Sequence, residues 1–163
     1  MFWQWRAGQP TEVDIEFFSS LNNCRQLILD VGANRGQFAL SLLKVNKQVK
    51  VLSMEPNPQL KGMLTLVRLL HPMRFRYLPY GAGDIEQSIP LHIPYSNNTD
   101  LSPNASLVPD EFEKDYVHER LKNYAAANNG NYSFKLVNAK IITIDSLKLQ
   151  PIAIKIDVEG YEM

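Results

Sequence analysis

The chain has 163 residues, with 17 Lys and Arg against 17 Asp and Glu; 45% of its residues are hydrophobic and 21% are charged. This balance is typical of one soluble globular domain and excludes disordered, fibrous and collagen-like chains. Because the net charge is zero and no basic stripe occurs, neither nucleic acid nor a membrane is expected as a partner. The expected partner is a small molecule. The single cysteine, Cys24, excludes an internal disulfide, and no apolar run approaches the ~18 residues that span a bilayer, so we expect a cytoplasmic protein.

The first half of the chain alternates predicted strands and helices. An apolar run ends in a glycine turn, and apolar residues at helical spacing follow it. Asn57 before Pro58 is a good N-cap and first-turn pair for the second helix. The predicted elements are a strand at 26–31, a helix at 37–45, a strand at 50–54, a helix at 58–70 and a strand at 74–80. This alternation predicts a doubly wound α/β sheet.

The second half of the chain is less regular. Between 85 and 109 the alternation is lost, and the proline-rich sequence predicts a short strand or hairpin followed by an irregular loop. A helix is expected to start near the capping-box pattern of Asp110 and Glu113 and to run to the turn at 128–131. β structure is predicted at 134–137, 140–144 and 152–158. We therefore expect one domain over residues 1–163, with residues 85–109 as an irregular insertion.

The strongest chemical signal lies between the first predicted strand and helix, in the sequence DVGANRG. Glycine at 32 and 36 lets the backbone approach a ligand without a Cβ in the way. The dinucleotide pattern G-x-G-x-x-G is not met, because Asn34 occupies the position of the second glycine. Asp30, directly before the turn, would repel a pyrophosphate and suits a cation.

Two further carboxylates follow the next strands. Glu55 ends the second strand, where α/β nucleoside-binding domains place an acid that accepts hydrogen bonds from ribose hydroxyls. Asp84 is expected to end the third strand, where its oxygens could accept from an adenine amine. With Asp30, these acids describe a ligand that has a sulfonium, a ribose and an adenine, which is S-adenosylmethionine. Each of these three acids could by itself be an ordinary residue of a turn or a solvated loop. Their occurrence at the ends of successive strands favours a binding site.

The ordered motifs resemble those of the FkbM family of class I S-adenosylmethionine-dependent methyltransferases. They are LILDVGANRGQFA, SMEPNP, GAGD, ITIDSL and AIKIDVEGYE. The resemblance implies a Rossmann-like three-layer α/β sandwich and O-methylation of a hydroxyl on a sugar, polyketide or other small metabolite. It implies a loop at the methionine end of the cofactor, an acid at the ribose and an acid at the adenine. The implied cofactor-binding residues are Asp30, Gly32, Ala33, Asn34, Gly36, Glu55, Pro56, Gly83 and Asp84.

The last predicted strand carries charges where a strand buried on both faces should be apolar. Alternation places Ile152, Ile154, Ile156 and Val158 on one face and Ala153, Lys155, Asp157 and Glu159 on the other. Burying Lys155 and Asp157 is costly unless they are paired or reach a cleft, so they indicate either a site or a structural ion pair. In the family that the chain resembles, this motif lies near the methyl acceptor. Asp157 or Glu159 would then orient or deprotonate the acceptor hydroxyl, with Lys155 in a structural role.

The sheet of class I methyltransferases resembles the order 3-2-1-4-5-7-6, and this sequence stops after what should be strand 4. We therefore expect an incomplete sandwich without strands 5–7, whose open strand-4 edge invites self-association. Two other functions are alternatives to a methyltransferase. An NAD-dependent oxidoreductase is disfavoured by the glycine spacing and by Asp30. A non-catalytic nucleoside-binding module is favoured only by the short length of the chain. No histidine has a partner at metal-ligand spacing, so no metal site is predicted.

Overall fold

The computed structural model describes residues 15–19, 21, 26–96, 99–100, 105–107, 115–127 and 132–158. Among them the helices are α1 (Ile15–Ser19), α2 (Gln37–Val45), α3 (Lys61–Leu70) and α4 (Asp115–Ala127). The strands are β1 (Leu27–Val31), β2 (Lys50–Met54), β3 (Phe75–Leu78), β4 (Gly81–Ala82), β5 (Gln87–Ser96), β6 (Thr99–Asp100), β7 (Tyr132–Ile142) and β8 (Ala153–Ile156). The alternation predicted for the first half of the chain is therefore present.

The main sheet consists of four parallel strands in the order β3-β2-β1-β8. Apolar side chains of α2 and α3 cover one face, where Phe38, Leu42, Leu64 and Val67 pack in one cluster with Ile28, Val51 and Phe75. The other face packs against the segment that follows β7, through Leu29, Val31, Met54, Ile142, Leu147 and Leu149. Because both faces of β1 are covered, this strand is a nearly continuous apolar run, and the α/β class predicted from the sequence is confirmed.

A second sheet, with the order β4-β7-β5-β6, occupies much of the region predicted to be irregular. The short strand or hairpin predicted within 85–109 is present but longer than expected, because β5 forms a ten-residue strand antiparallel to β7 and, at its end, to β6. Pro90 and Pro94 do not interrupt this pairing. They lie two residues before and two residues after His92, so their backbone nitrogens point to the same side of β5 as that of His92. The His92 N–H points away from β7 and donates to Ser106 O at 2.9 Å. At these alternate positions the ladder with β7 requires no N–H from β5, so proline is tolerated.

Three other predicted elements have different limits in the structure. The third strand ends at Leu78, two residues before the predicted end, because the chain leaves the main sheet and enters β4 of the second sheet. The two β segments predicted at 134–137 and 140–144 form one strand, β7. The predicted helix is α4, and the capping-box residues Asp110 and Glu113 lie outside the described residues.

β8 forms one edge of the main sheet, in the position expected for strand 4. Within the described parts of the chain, no strand pairs with its outer edge. The predicted alternation is present, but Ile152, Ile154 and Ile156 are exposed while Lys155 lies on the covered face. An uncovered β-branched edge favours association between chains, so self-association stays a prediction of the fold.

Candidate functional site

The turn after β1 has two glycines in the left-handed region, Gly32 and Gly36, both with φ +79°. The N–H groups of Gly32 and Ala33 donate to Met54 O at 3.0 and 3.1 Å, which ties the turn to the end of β2. A Cβ on Gly32 would lie 1.8 Å from the backbone oxygen of Asp157. Glycine is thus required because the chain after β8 crosses this turn, whereas the sequence suggested a ligand as the approaching group.

Glu55 holds this turn to the next one. Its Oε2 accepts from the Asn34 N–H at 2.8 Å, and its Oε1 accepts from the Asn57 N–H at 2.9 Å. Asn34 has a left-handed backbone, with φ +50°, and the Asn57 side chain caps the 3₁₀ turn Pro58–Leu60 by accepting from the Gln59 N–H. One buried carboxylate therefore fixes the conformations of two loops at the carboxyl edge of the sheet.

The environment of Glu55 makes its carboxyl a weaker acid than an exposed glutamic acid. Burial raises its pKa from 4.5 to about 7, the N–H groups of Asn57 and Asn34 oppose this rise, and the nearby charge of Asp30 adds to it. Burial is the dominant cause because it penalises the charged form more than two backbone hydrogen bonds favour it. A ligand that donates hydrogen bonds to this carboxylate would favour the ionised form.

A pocket opens at this edge of the main sheet. Its lining includes five of the predicted site residues: Gly32, Asn34, Glu55, Pro56 and Asp157. The second sheet and the loop beside it supply a largely apolar wall that sequence reasoning missed: Gly81, Ala82, Leu91, Ala105 and Leu107. These residues carry no chemical motif, and only the GAGD sequence pointed to the region. The pocket thus combines a carboxylate side with an apolar side.

Asp30 is at the predicted strand end but does not line the pocket. Its carboxylate is fully buried, where Oδ2 accepts from the Ser53 hydroxyl at 2.7 Å and Oδ1 lies 3.8 Å from Lys155 Nζ. The cation that Asp30 faces is therefore an ammonium of this chain. Ala33 and Gly36 also lie outside the pocket lining, since Ala33 packs in the core and Gly36 starts α2.

The expectation that Asp84 ends the third strand is wrong, because Gly83 and Asp84 follow β4 of the second sheet. The Gly83 N–H donates to Ile142 O at 3.1 Å, and Asp84 is exposed. Neither residue lines the pocket, whereas Gly81 and Ala82 just before them do. The contact of Asp84 with an adenine stays a prediction. Glu159 lies outside the described residues.

Lys155 links the buried acid to the pocket. Its side chain is only 10% exposed, and Nζ lies 3.8 Å from Asp30 Oδ1 and 3.2 Å from Asp157 Oδ2. Nζ also lies 5.4 Å from the centroid of the Phe38 ring, which supports the ammonium from the α2 side. Asp157 is 60% exposed and lines the pocket. The ion-pair alternative for this motif is therefore present, and one member of the pair, Asp157, also lines the pocket.

Over the ranges described above, no three His, Cys, Asp or Glu side chains are grouped so as to hold a metal ion. No helix in the same ranges is long and apolar enough to cross a membrane.

The class of protein follows from the sheet and its edge. Parallel strands with a glycine turn after the first strand and a carboxylate after the second define a Rossmann-like α/β fold. A family model described as the methyltransferase FkbM domain matches residues 30–163. The chain belongs to the FkbM methyltransferase family, as its motifs predict.

Two solved structures are similar to this chain. One is an O-methyltransferase family protein from Burkholderia thailandensis, at 16% identity and a TM-score of 0.33, covering 46% of this chain and 23% of that chain. The other is a precorrin-6y C5,15-methyltransferase from Geobacter metallireducens GS-15, at 12% identity and a TM-score of 0.33, covering 68% of this chain and 69% of that chain. No curated protein matches the chain. The match thus spans less than a quarter of the Burkholderia protein, and the family assignment rests on the family model.

The crossing at Gly32 predicts a large loss of stability in Gly32→Ala. The added Cβ would overlap the Asp157 carbonyl in a backbone conformation that alanine rarely adopts, so we expect the free energy of unfolding to fall by about 3 kcal/mol. Gly62→Ala is the matched control, because nothing lies within 4 Å of a Cβ there and alanine favours the helix. Urea unfolding measures both, and equal stability of the two variants would contradict the close crossing.

The raised pKa of Glu55 predicts a pH-dependent stability. Between pH 4.5 and 7 the folded carboxyl keeps a proton that the unfolded chain has released, so its contribution is complete below pH 4.5 and is lost as the pH rises through about 7. The loss should be about 3 kcal/mol, and Glu55→Gln should remove it. Urea unfolding across this range measures the slope, with the exposed Glu86→Gln as control. Parallel profiles for the wild type and Glu55→Gln would refute the assignment.

Proposed function

We propose that this protein is an S-adenosylmethionine-dependent methyltransferase that methylates a hydroxyl of a small acceptor, such as a sugar, a polyketide or another small metabolite. The observation that carries the proposal is the Glu55 carboxylate, which lines the pocket at the end of β2 in a chain of the FkbM methyltransferase family. We place this activity in the cytoplasm, in line with the absence of any possible internal disulfide.

The pocket residues fit the parts of the methyl donor. Each oxygen of Glu55 accepts one backbone N–H, and a carboxylate oxygen can accept a second hydrogen bond, so two ribose hydroxyls can be accommodated. Leu60, Gly81 and Ala82 line the pocket with apolar atoms that can contact an adenine ring. The turn at Gly32 and Asn34 would border the methionine end. When bound, S-adenosylmethionine supplies an electrophilic methyl group.

Asp157 is the pocket residue best suited to the acceptor. Its carboxylate can accept a hydrogen bond from an acceptor hydroxyl and receive its proton. Two contacts fix its position: the Asp157 N–H donates to Val31 O at 3.0 Å, and Lys155 Nζ lies 3.2 Å from Oδ2. Lys155 is therefore a positioning residue, since it contacts Asp157 but does not line the pocket. Glu159, in the same motif, is a second candidate for this role.

Ligand binding tests the cofactor assignment. Because each charge-assisted hydrogen bond contributes ~1.5–3 kcal/mol, Glu55→Ala should weaken binding of S-adenosylmethionine or its demethylated product roughly 10- to 100-fold or more. Calorimetry with either ligand measures this, with Glu86→Ala as the control. Tighter binding of NAD than of S-adenosylmethionine would overturn the assignment in favour of an oxidoreductase. Unchanged affinity in a folded Glu55→Ala variant would show that Glu55 only holds the loops.

Turnover tests the acceptor chemistry. In the full chain, Asp157→Asn should lower methyl transfer to hydroxylated acceptors about 100-fold or more and change cofactor affinity much less, because the carboxylate acts on the acceptor. Transfer of radiolabelled methyl to a panel of sugars and polyketides measures the rate, and the exposed Asp145→Asn is the control. Equal losses of turnover and affinity with a lower melting temperature would assign Asp157 to a structural ion pair. If the protein binds S-adenosylmethionine but transfers no methyl group to any acceptor, the result would support a non-catalytic nucleoside-binding module.

A further inference from the structure

Three polar side chains are neighbours across three strands of the main sheet. Asp30 on β1 is paired in register with Ser53 on β2 and with Lys155 on β8. The Ser53 hydroxyl donates to Asp30 Oδ2 at 2.7 Å, and Lys155 Nζ lies 3.8 Å from Asp30 Oδ1. Asp30 thus faces a hydroxyl on one side and an ammonium on the other. We call Ser53, Asp30 and Lys155 the polar cluster.

Packing does not account for an acid in the polar cluster. Asp30 shares a face of β1 with Ile28, which packs in the apolar core beneath α2. Asp30 and Ser53 are both fully buried. Exchanging a buried ion pair for apolar residues of similar volume often leaves a protein as stable as before or more stable. The effect of the buried acid therefore lies with Lys155 and not with the core.

Asp30 keeps the ammonium of Lys155 below the surface. A lysine has a flexible stem and a strongly hydrated ammonium, so on an edge strand it would otherwise extend into water. Instead the Lys155 side chain is only 10% exposed, and Nζ lies between Asp30 and the Phe38 ring, 5.4 Å from the ring centroid. From this position Nζ reaches Asp157 Oδ2 at 3.2 Å. An exposed carboxylate such as that of Asp157 has several rotamers, and this contact selects one of them.

The charges of the polar cluster also suit the proton transfer proposed for Asp157. While Asp157 is ionised, the Lys155 ammonium has a carboxylate on each side. As the acceptor hydroxyl gives its proton to Asp157, its oxygen forms the bond to the methyl group, and the electron pair of the broken sulfur–carbon bond stays on sulfur. Asp157 is then neutral, and Asp30 remains as the carboxylate beside Lys155. Without Asp30, the same step would leave the ammonium with neither carboxylate.

We propose that Asp30 is a positioning residue of methyl transfer: it holds Lys155, and Lys155 in turn fixes Asp157 toward the acceptor. The inference rests on the proposed function and adds to it a residue outside the pocket lining. The family resemblance implied that Asp30 binds the cofactor, whereas its position below the pocket places it behind the acceptor acid. Its effect therefore belongs to turnover and not to cofactor affinity.

Turnover and affinity, measured separately in the full chain, test the proposal. Asp30→Asn keeps the shape of the side chain and removes its charge, so methyl transfer should fall roughly tenfold or more, while the dissociation constant for S-adenosylmethionine changes less than about twofold. Asp30→Asn/Asp157→Asn should be no slower than Asp157→Asn alone, because Asp30 acts through Asp157. Asn46→Ala is the matched control: it removes the hydrogen bonds of a buried amide before β2, at the opposite edge of the sheet, and should leave both quantities unchanged.

Three results would overturn the proposal. They are a loss of cofactor affinity in Asp30→Asn as large as its loss of turnover, turnover of Asp30→Asn equal to that of the wild type, and a double variant slower than Asp157→Asn. Circular dichroism shows whether each variant is folded. If Asp30→Asn is not, Asp30→Asn/Lys155→Met takes its place with the same expected result, because it removes both charges of the buried pair.

Failure of the proposed function has a different signature. In that case the wild type binds no S-adenosylmethionine or methylates no acceptor, and the structure of the variant decides the inference. A crystal structure of Asp30→Asn should show Lys155 Nζ turned away from Asp157 Oδ2 and exposed to water. An unchanged contact between these two atoms would contradict the role of Asp30.

Discussion

The buried carboxylate of Glu55 holds together the two loops that border the pocket. Its oxygens accept one N–H from Asn34, after β1, and one from Asn57, before α3. Removing a carboxylate from water is costly, and these two hydrogen bonds offset only part of the cost, as the raised pKa shows. A ligand with two hydroxyls would offset more of it, so the carboxylate that holds the two loops is also the group that the proposed ligand would stabilise most.

A second constraint joins β1 to β8. The chain after β8 crosses the β1 turn so closely that only glycine fits at position 32, and Lys155 lies between Asp30 below the turn and Asp157 at the pocket. A buried acid, an ammonium and a pocket acid therefore form one row across two neighbouring strands. Removing Asp30 or Asp157 would leave the Lys155 ammonium with less charge compensation. The row therefore stabilises the edge of the sheet, and it also sets the position of Asp157.

The second sheet adds an apolar side to the pocket lining and, among the described residues, contributes no ionisable group to it. Leu91, Ala105 and Leu107 form an apolar wall opposite the carboxylates. Apolar side chains of this kind exclude water from the part of the pocket that they line.

The sequence by itself determined the local elements and the family. β1, α2 and β2 follow directly from apolar periodicity and glycine, and Glu55 was identified as a pocket acid because its place at a strand end depends only on neighbours in the chain. The tertiary structure decided what the other acids face. Asp30 meets Lys155 rather than a ligand, Asp84 follows a strand of another sheet, and β5 pairs with β7 across at least 35 intervening residues. Periodicity shows which residues share a face of a strand, but which face is buried depends on distant partners. For that reason the alternation in β8 was predicted, while the contact of Lys155 with Asp30 on the neighbouring strand was not.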